Sequence, residues 1–308
     1  MGNTSLSYLL DEQAISAQLG FPVPPLRVFS LETFGMNRDA FLYDLAPTFS
    51  VLHLDPYDAK RAKVEFLKRR FPAEARRLDG FLIDYFADQA DMASVYDLIR
   101  HLPAAERNEL DRIGMTGRRK RSVAAFRMRR SHRAAGGWTI EREKAERYQQ
   151  KVAPDDPRAL VRIFHEMEGL VAEHFGVRHL MRSLAEIVRE IRPEARALLM
   201  HVHQMFVFAD LSSDGDNAPE GIHQDGADYI VSALVIERAG VLGGESVVYG
   251  PDKETEYLRR TLAEGEGIFQ ADAGSPLWHT VTLVREDPST PPDYGHRSIL
   301  GFDVDVLE

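Results

Sequence analysis

His223 and Asp225 stand one residue apart, with Gly221 and Gly226 on either side. On an extended backbone, residues i and i+2 project to the same side, so an imidazole and a carboxylate at this spacing can reach one ion. The glycines allow a tight backbone at a strand end and leave room for a ligand. A third donor has to come from elsewhere. His279, in Pro276-Leu277-Trp278-His279-Thr280-Val281, supplies it. Strand alternation puts Leu277, His279, Val281 and Leu283 on one face, where a neutral imidazole turned into an apolar interior can bind metal. Two imidazoles and one carboxylate form the facial set of mononuclear ferrous sites and leave three coordination positions open. Taken singly, a His-x-Asp is often a chance pair and a lone histidine on an apolar face is more often a satisfied core residue. The order of His223, Asp225, Gly243-Gly244-Glu245, His279 and Arg297 is what gives the pattern weight.

Arg297 opens the last predicted strand. Its guanidinium presents a bidentate fork to a carboxylate. If two open positions take the 1-carboxylate and 2-oxo oxygens of a 2-oxo acid and the third takes dioxygen, Arg297 suits the distal carboxylate of 2-oxoglutarate. The chemistry expected is therefore oxidation of an unactivated C–H bond with Fe(II), 2-oxoglutarate and O2, the oxo acid leaving as succinate. The competing role for Arg297 is a surface pair with Asp293 or Glu286. Gln204, on the strand before the motif, is a candidate cofactor contact. Gln224, Glu245 and Asp228 are candidate substrate contacts, since amides and carboxylates can bind the ends of a zwitterion. His201 and His203 form a His-x-His without a carboxylate at ligand spacing, so they are set aside as ligands.

The elements that must position these residues lie mostly in the last third. Strand patterns run over 198–209, 229–237, 245–249, 267–271, 277–284 and 297–306, with Gly-, Pro- and Asp-rich turns between them. Upstream, 5–20 reads as a helix ended by Gly20, and 26–31 and 49–54 as short strands. Residues 59–112 carry apolar side chains at three- and four-residue steps, punctuated by Pro72 and Pro103, and predict about three helices. Residues 118–133 hold eight basic side chains and no acidic one; they read as a solvated basic face or an anion-facing strand. The spacing predicts a charged helix over 141–150 and amphipathic helices over 160–191, divided at Gly176. The fold expected is α+β: a double-stranded β-helix (jelly-roll, cupin-like) core packed against helices, with an added N-terminal helical region. Its parts would be an N-terminal segment over 1–58, a helical insertion over 59–115 and the jelly-roll domain over 116–308.

The 308 residues are 44% apolar and 28% charged, with a net charge of −10 and no cysteine. Disulfides, zinc ribbons and thiol nucleophiles are excluded, so metal binding rests on His, Asp and Glu. The acidic balance and the single aromatic, Phe126, within the basic run argue against nucleic acid. No apolar run is long enough to span a bilayer, and the first residues lack a signal-peptide pattern. The expectation is a cytoplasmic protein with no membrane and no nucleic-acid partner, whose 60–115 stretch is apolar enough for a homodimer interface.

Glu220-Gly221-Ile222-His223-Gln224-Asp225-Gly226, then Gly243-Gly244-Glu245-Ser246, Trp278-His279 and Gly295-His296-Arg297 resemble the 2-oxoglutarate/iron dioxygenases typified by bacterial L-isoleucine 4-hydroxylase. Leu54-Asp55-Pro56-Tyr57, the basic run near Arg118 to Arg127 and His203-Gln204 extend the likeness upstream. The resemblance implies a free amino acid or similar small zwitterion as substrate. It also leaves open ring closure (aziridine formation, as in fungal relatives) or desaturation in place of hydroxylation. A cupin-like barrel that binds metal without turnover is the reading from another class. One departure matters: many oxoglutarate enzymes have Ser or Thr two residues after the arginine, where this chain has Ile299. A second contact to the carboxylate must then come from another strand.

Overall fold

Along residues 295–306 the side chains divide between two apolar clusters, and that division sets the architecture. Leu300, Phe302 and Val304 pack in one cluster with the helix Phe175–Ile191, whereas Ile299 packs with Leu26, Val235, Val248, Ile268 and Leu277 on the opposite side of the sheet. In the computed structural model, which describes residues 13, 15–17, 24–113, 117–134, 137–145, 147–153, 156–290 and 295–307, two compact units are resolved. One comprises Met1–His53, Arg119–Ala145 and His165–Glu308, the other Leu54–Arg118 and Glu146–Phe164.

The first unit is mixed helix and antiparallel sheet. Its strands are β1 Leu26–Ser30, β2 Arg119–Arg130, β3 Trp138–Glu143, β4 Ala197–Ala209, β5 Tyr229–Ala239, β6 Val241–Gly243, β7 Ser246–Tyr249, β8 Glu256–Arg260, β9 Glu266–Ala271, β10 Trp278–Val281, β11 Val284–Glu286 and β12 Gly295–Val306. A seven-stranded sheet has the order β1-β9-β5-β12-β4-β2-β3, and smaller sheets are formed by β10-β7-β8 and by β11-β6. All these pairings are antiparallel, as a jelly-roll requires. On the helix 175–191, Val177, Leu180, Met181, Leu184, Ile187 and Val188 are buried. Their spacing forms one stripe, each large side chain contributing about 1.5–3 kcal/mol on burial. That stripe covers one face of the large sheet and leaves the other face to the smaller sheets.

The second unit is helical over Tyr57–Arg70, Ala75–Phe86, Tyr96–Ile99 and Ala104–Ile113. Its core includes Val64, Leu67, Leu78, Phe81 and Phe86. The Tyr57 hydroxyl donates to the Ile163 carbonyl at 2.6 Å, tying the 146–164 stretch to the first helix.

Several local expectations give way. Residues 47–50 are helical rather than extended, with Pro47 in the first turn and the Thr48 hydroxyl donating to the Leu45 carbonyl at 2.6 Å. The charged helix predicted over 141–150 is replaced by β3, because Glu141 and Glu143 pair across the ladder with Arg127 and Ala125, and Arg127 grips Glu143. The helix ending at Ile191 begins only at Phe175, capped by the His174 side chain. Gly176 lies inside it, because a Cβ there would meet the Phe41 ring at 2.5 Å. Most of the helix expected over 5–20 lies outside the described residues.

The turn after β6 is tight. Gly243 has φ +71°, and a Cβ on it would lie 2.1 Å from the Leu283 carbonyl oxygen. Gly243→Ala is expected to lose about 1–3 kcal/mol of unfolding free energy from backbone strain, measured as a lower midpoint in urea.

Candidate functional site

His223 and His279 are brought together by their own backbones. The amide of each donates to the carbonyl of the other at 2.9 Å, an antiparallel bridge outside the named strands. This pairing puts the imidazole centroids 4.3 Å apart. Asp225, two residues on from His223, sends its carboxylate between them. Oδ1 lies 3.5 Å from His223 Nε2 and Oδ2 lies 3.3 Å from His279 Nε2. One ligand atom from each residue fits within 4.8 Å of the others, an arrangement that could hold a metal ion. Both histidines are buried, so competing water is limited.

The electrostatics fit a cation. Burial alone would lower His223, but its hydrogen bond to Asp225 and the charges of Glu220 and Asp225 push it up to about 9. Burial opposes ionisation of Asp225, yet the two imidazoles hold it well below the usual carboxylate range. His279 is lowered by burial and by the neighbouring His223. The donor set is thus a carboxylate that remains ionised and two imidazoles that present ring nitrogens to it. This chemistry matches a divalent ion. His223 also has its far nitrogen engaged, with Nδ1 2.8 Å from the Gly221 carbonyl. Since a carbonyl only accepts, that nitrogen carries a proton, and Nε2 is the nitrogen that gives up its own proton when an ion binds.

Arg297 lies on β12, opposite Val207 on β4 and Arg238 on β5. It is completely buried, and its three guanidinium nitrogens have no hydrogen-bond partner among the described residues. Burial, with a smaller push from Arg238, lowers it to about 9. The Gly-Gly turn packs directly on it: a Cβ at Gly244 would come within 3.0 Å of Arg297 Cδ. Ser246, at the start of β7, contributes a buried hydroxyl that also lacks a partner. Ser246 shares a strand face with Val248, a member of the same apolar cluster as Ile299.

The other sequence candidates fall elsewhere. Gln204 is buried on the face of β4 that carries Val202 and Phe206, opposite Leu300. There it accepts from the Ser122 hydroxyl at 3.1 Å and donates to Thr48 at 2.7 Å, so it is turned away from Arg297. The Gln224 amide donates to the carbonyls of Asp272, Ser275 and Leu277 at 3.0, 2.9 and 2.7 Å. It straps the His-x-Asp segment to the turn leading into β10. Glu245 pairs with Arg259 at 2.9 Å on an exposed edge, and Asp228 accepts the Val306 amide at 2.7 Å. His203 is a satisfied core residue, between Asp303 at 2.9 Å and Arg121 at 2.8 Å.

Two groups were given no role of their own from the sequence. Glu220 Oε1 lies 3.1 Å from His223 Nε2, the nitrogen that faces the ligand cluster. Its signal was its place three residues before His223. Asp272, directly after β9, accepts the amides of Asp225 and Gly226 on Oδ2 at 2.9 and 2.7 Å. It sits in Asp272-Ala273-Gly274-Ser275-Pro276, a stretch whose composition reads as a turn. Burial and the nearby Asp225 charge push Asp272 up to about 8.

The model of a family described as 2OG-Fe dioxygenase matches residues 103–303. In three dimensions the chain is similar to a bsmA homolog from Methylobium petroleophilum PM1, with a TM-score of 0.63 and 18% identity over 97% of this chain and 93% of that one. At this identity the likeness shows the fold. The chain is also similar to IDO from Bacillus thuringiensis, at TM-score 0.49 and 15% identity over 62% of this chain and 79% of that one. The Fe(II)/(alpha)ketoglutarate-dependent dioxygenase TqaL has TM-score 0.45 and 11% identity over 80% and 89%. No curated protein matches the chain in sequence. Among the described residues, no helix is long and apolar enough to cross a membrane.

Two outcomes follow from this geometry. Loading with Mn(II) or Fe(II) should raise the unfolding temperature of the parent chain, and His223→Ala and His279→Ala should each abolish the increase. Arg297→Met, which removes a buried charge without an anion, should leave the ligand-free fold as stable or more stable by about 1–4 kcal/mol. A lower urea midpoint for that variant would show that Arg297 has a structural partner.

Proposed function

The chain belongs to the 2OG-Fe dioxygenase family, and we propose that it hydroxylates an unactivated C–H bond of a free amino acid or similar small zwitterion, with 2-oxoglutarate as co-substrate. The family uses Fe(II), 2-oxoglutarate and O2, and the His223, Asp225 and His279 donor set fits iron. Bound together, these groups supply the oxidising power that breaks a C–H bond while 2-oxoglutarate is converted to succinate and carbon dioxide.

The observation that carries the reading is Arg297, fully buried with all three guanidinium nitrogens unpartnered among the described residues. A buried charge of this kind is retained where a ligand supplies its counter-ion. A dicarboxylate that reaches from the metal donors into the interior would place its distal carboxylate on that fork. The second contact that Ile299 cannot make is assigned to Ser246, whose buried hydroxyl has no partner among the described residues. Apolar side chains on this face of the sheets, Val235, Val248, Ile268, Leu277 and Ile299, would exclude water from the oxo acid.

Support for a zwitterionic substrate comes from Glu220. Its carboxylate stands beside the metal-facing nitrogen of His223 and can meet an ammonium group there. Glu245 and Asp228 are committed to Arg259 and to the Val306 amide, so this reading moves the ammonium contact to Glu220. Small-molecule substrate binding needs neither nucleic acid nor a membrane. A homodimer through the 60–115 stretch belongs to this reading.

The test is a succinate assay over the standard amino acids and their common derivatives, with ferrous ion added. One or more amino acids should stimulate succinate release, and the product should gain one oxygen by mass spectrometry. Product lighter by two hydrogens would assign ring closure or desaturation instead, and no stimulation by any amino acid would remove the substrate class. Arg297→Ala should raise the 2-oxoglutarate requirement about 30-fold or more, the loss that follows from removing one partner of a buried ion pair.

A further inference from the structure

The two ligand histidines are held differently from behind. His223 Nδ1 is fixed by the Gly221 carbonyl at 2.8 Å. His279 Nδ1 is buried and has no hydrogen-bond partner among the described residues. Facing it at 3.8 Å is Asp272 Oδ1, itself buried and equally without a partner. Two orphaned polar atoms directed at each other across a gap slightly longer than a hydrogen bond are complementary halves of one interaction. Each would otherwise bear an uncompensated loss of water.

Asp272 is well held for this task. Its amide donates to the Asp228 carbonyl at 3.1 Å, and its own carbonyl receives the Ser275 amide at 3.0 Å and the Gln224 side chain at 3.0 Å. Its second carboxyl oxygen already clamps the backbone amides of Asp225 and Gly226. A single side chain therefore touches the segment that bears Asp225 and faces the ring of His279. These two ligands are far apart in sequence, and no other side chain among the described residues is shown to address both in this way.

We propose that Asp272 is the positioning residue of the metal centre: its Oδ1 accepts the Nδ1 proton of His279, which leaves the Nε2 lone pair free for the ion, while its Oδ2 fixes the backbone of Asp225. The inference rests on the reading of His223, Asp225 and His279 as metal ligands. The bond forms when this 3.8 Å separation shortens to hydrogen-bond distance. Ligand histidines elsewhere are commonly oriented by a carboxylate on the far nitrogen, and losing it weakens metal affinity by about 10- to 100-fold.

Asp272→Asn separates this role from mere support. The amide oxygen of Asn can keep both backbone clamps, but its NH2 then faces His279 Nδ1. The ring must accept there and carry its proton on Nε2, where it blocks the ion. The variant should keep the parent circular dichroism and metal-free unfolding temperature, yet bind Mn(II) about 10- to 100-fold more weakly when free Mn(II) is read by electron paramagnetic resonance. In the metal-free parent, at a pH high enough for Asp272 to be ionised, nitrogen-15 NMR of labelled histidine should find His279 as the Nδ1–H tautomer. A folded Asp272→Asn protein with parental Mn(II) affinity, or an Nε2–H tautomer in the parent, would overturn the proposal. If Asp272→Asn does not fold, the tautomer in the parent decides alone. His279→Ala serves as the control. Parental Mn(II) affinity in His279→Ala defeats the ligand assignment itself, whereas weakened binding there with unchanged binding in Asp272→Asn defeats only the role of Asp272.

Discussion

Arg297 puts a full positive charge where the interior of the sheets supplies no anion. The residue is completely buried, its guanidinium has no hydrogen-bond partner among the described residues, and burial lowers its affinity for a proton. Such a group is tolerated in a dry interior when something else brings the countercharge. Val207 lies opposite it on β4, and the glycines at 243 and 244 let the turn after β6 close over its methylenes. A side chain at Gly244 would press against Arg297 Cδ.

The donor cluster is held in a different way. There the constraint is backbone pairing, since His223 and His279 exchange two amide–carbonyl bonds and so cannot separate without breaking both. Gln224 adds three donations to the turn that leads into β10, and Asp272 clamps the two amides after it. The site is therefore built on a short paired segment tied to a rigid turn, while the long strands and the helix 175–191 provide the wall behind it. Precision of this kind matters because a facial donor set has to meet an ion from three directions at once.

Much of this was legible in the sequence because the site obeys simple periodicity. The i, i+2 spacing of His223 and Asp225 and the alternation around His279 are local signals, and the structure brings those three side chains within ligand reach of one another. Of the strands from 198 onward, β4, β5, β7, β9, β10 and β12 were legible for the same reason, whereas β6, β8 and β11 were not. Gln204 shows the limit of parity: alternation says that it shares a face with Val202 and Phe206, but only the register against Leu300 reveals that this face meets the helices. Residues 141–150 carried helix-like charge spacing, and the winning interaction was the non-local ladder to Arg127. Asp272 could not be singled out, since an aspartate in a turn has many local uses. Its partners, Asp225 and His279, belong to segments that only the fold brings near.

The central claim is that the metal donors and Arg297 are two ends of one binding site for 2-oxoglutarate. Anaerobic calorimetric titration of the chain with 2-oxoglutarate, with and without bound ferrous ion, tests it most directly. The account predicts one equivalent bound tightly in the presence of the ion, much weaker binding without it, and loss of the signal in Arg297→Met. Binding that is indifferent to the metal, or that survives in Arg297→Met, would contradict it.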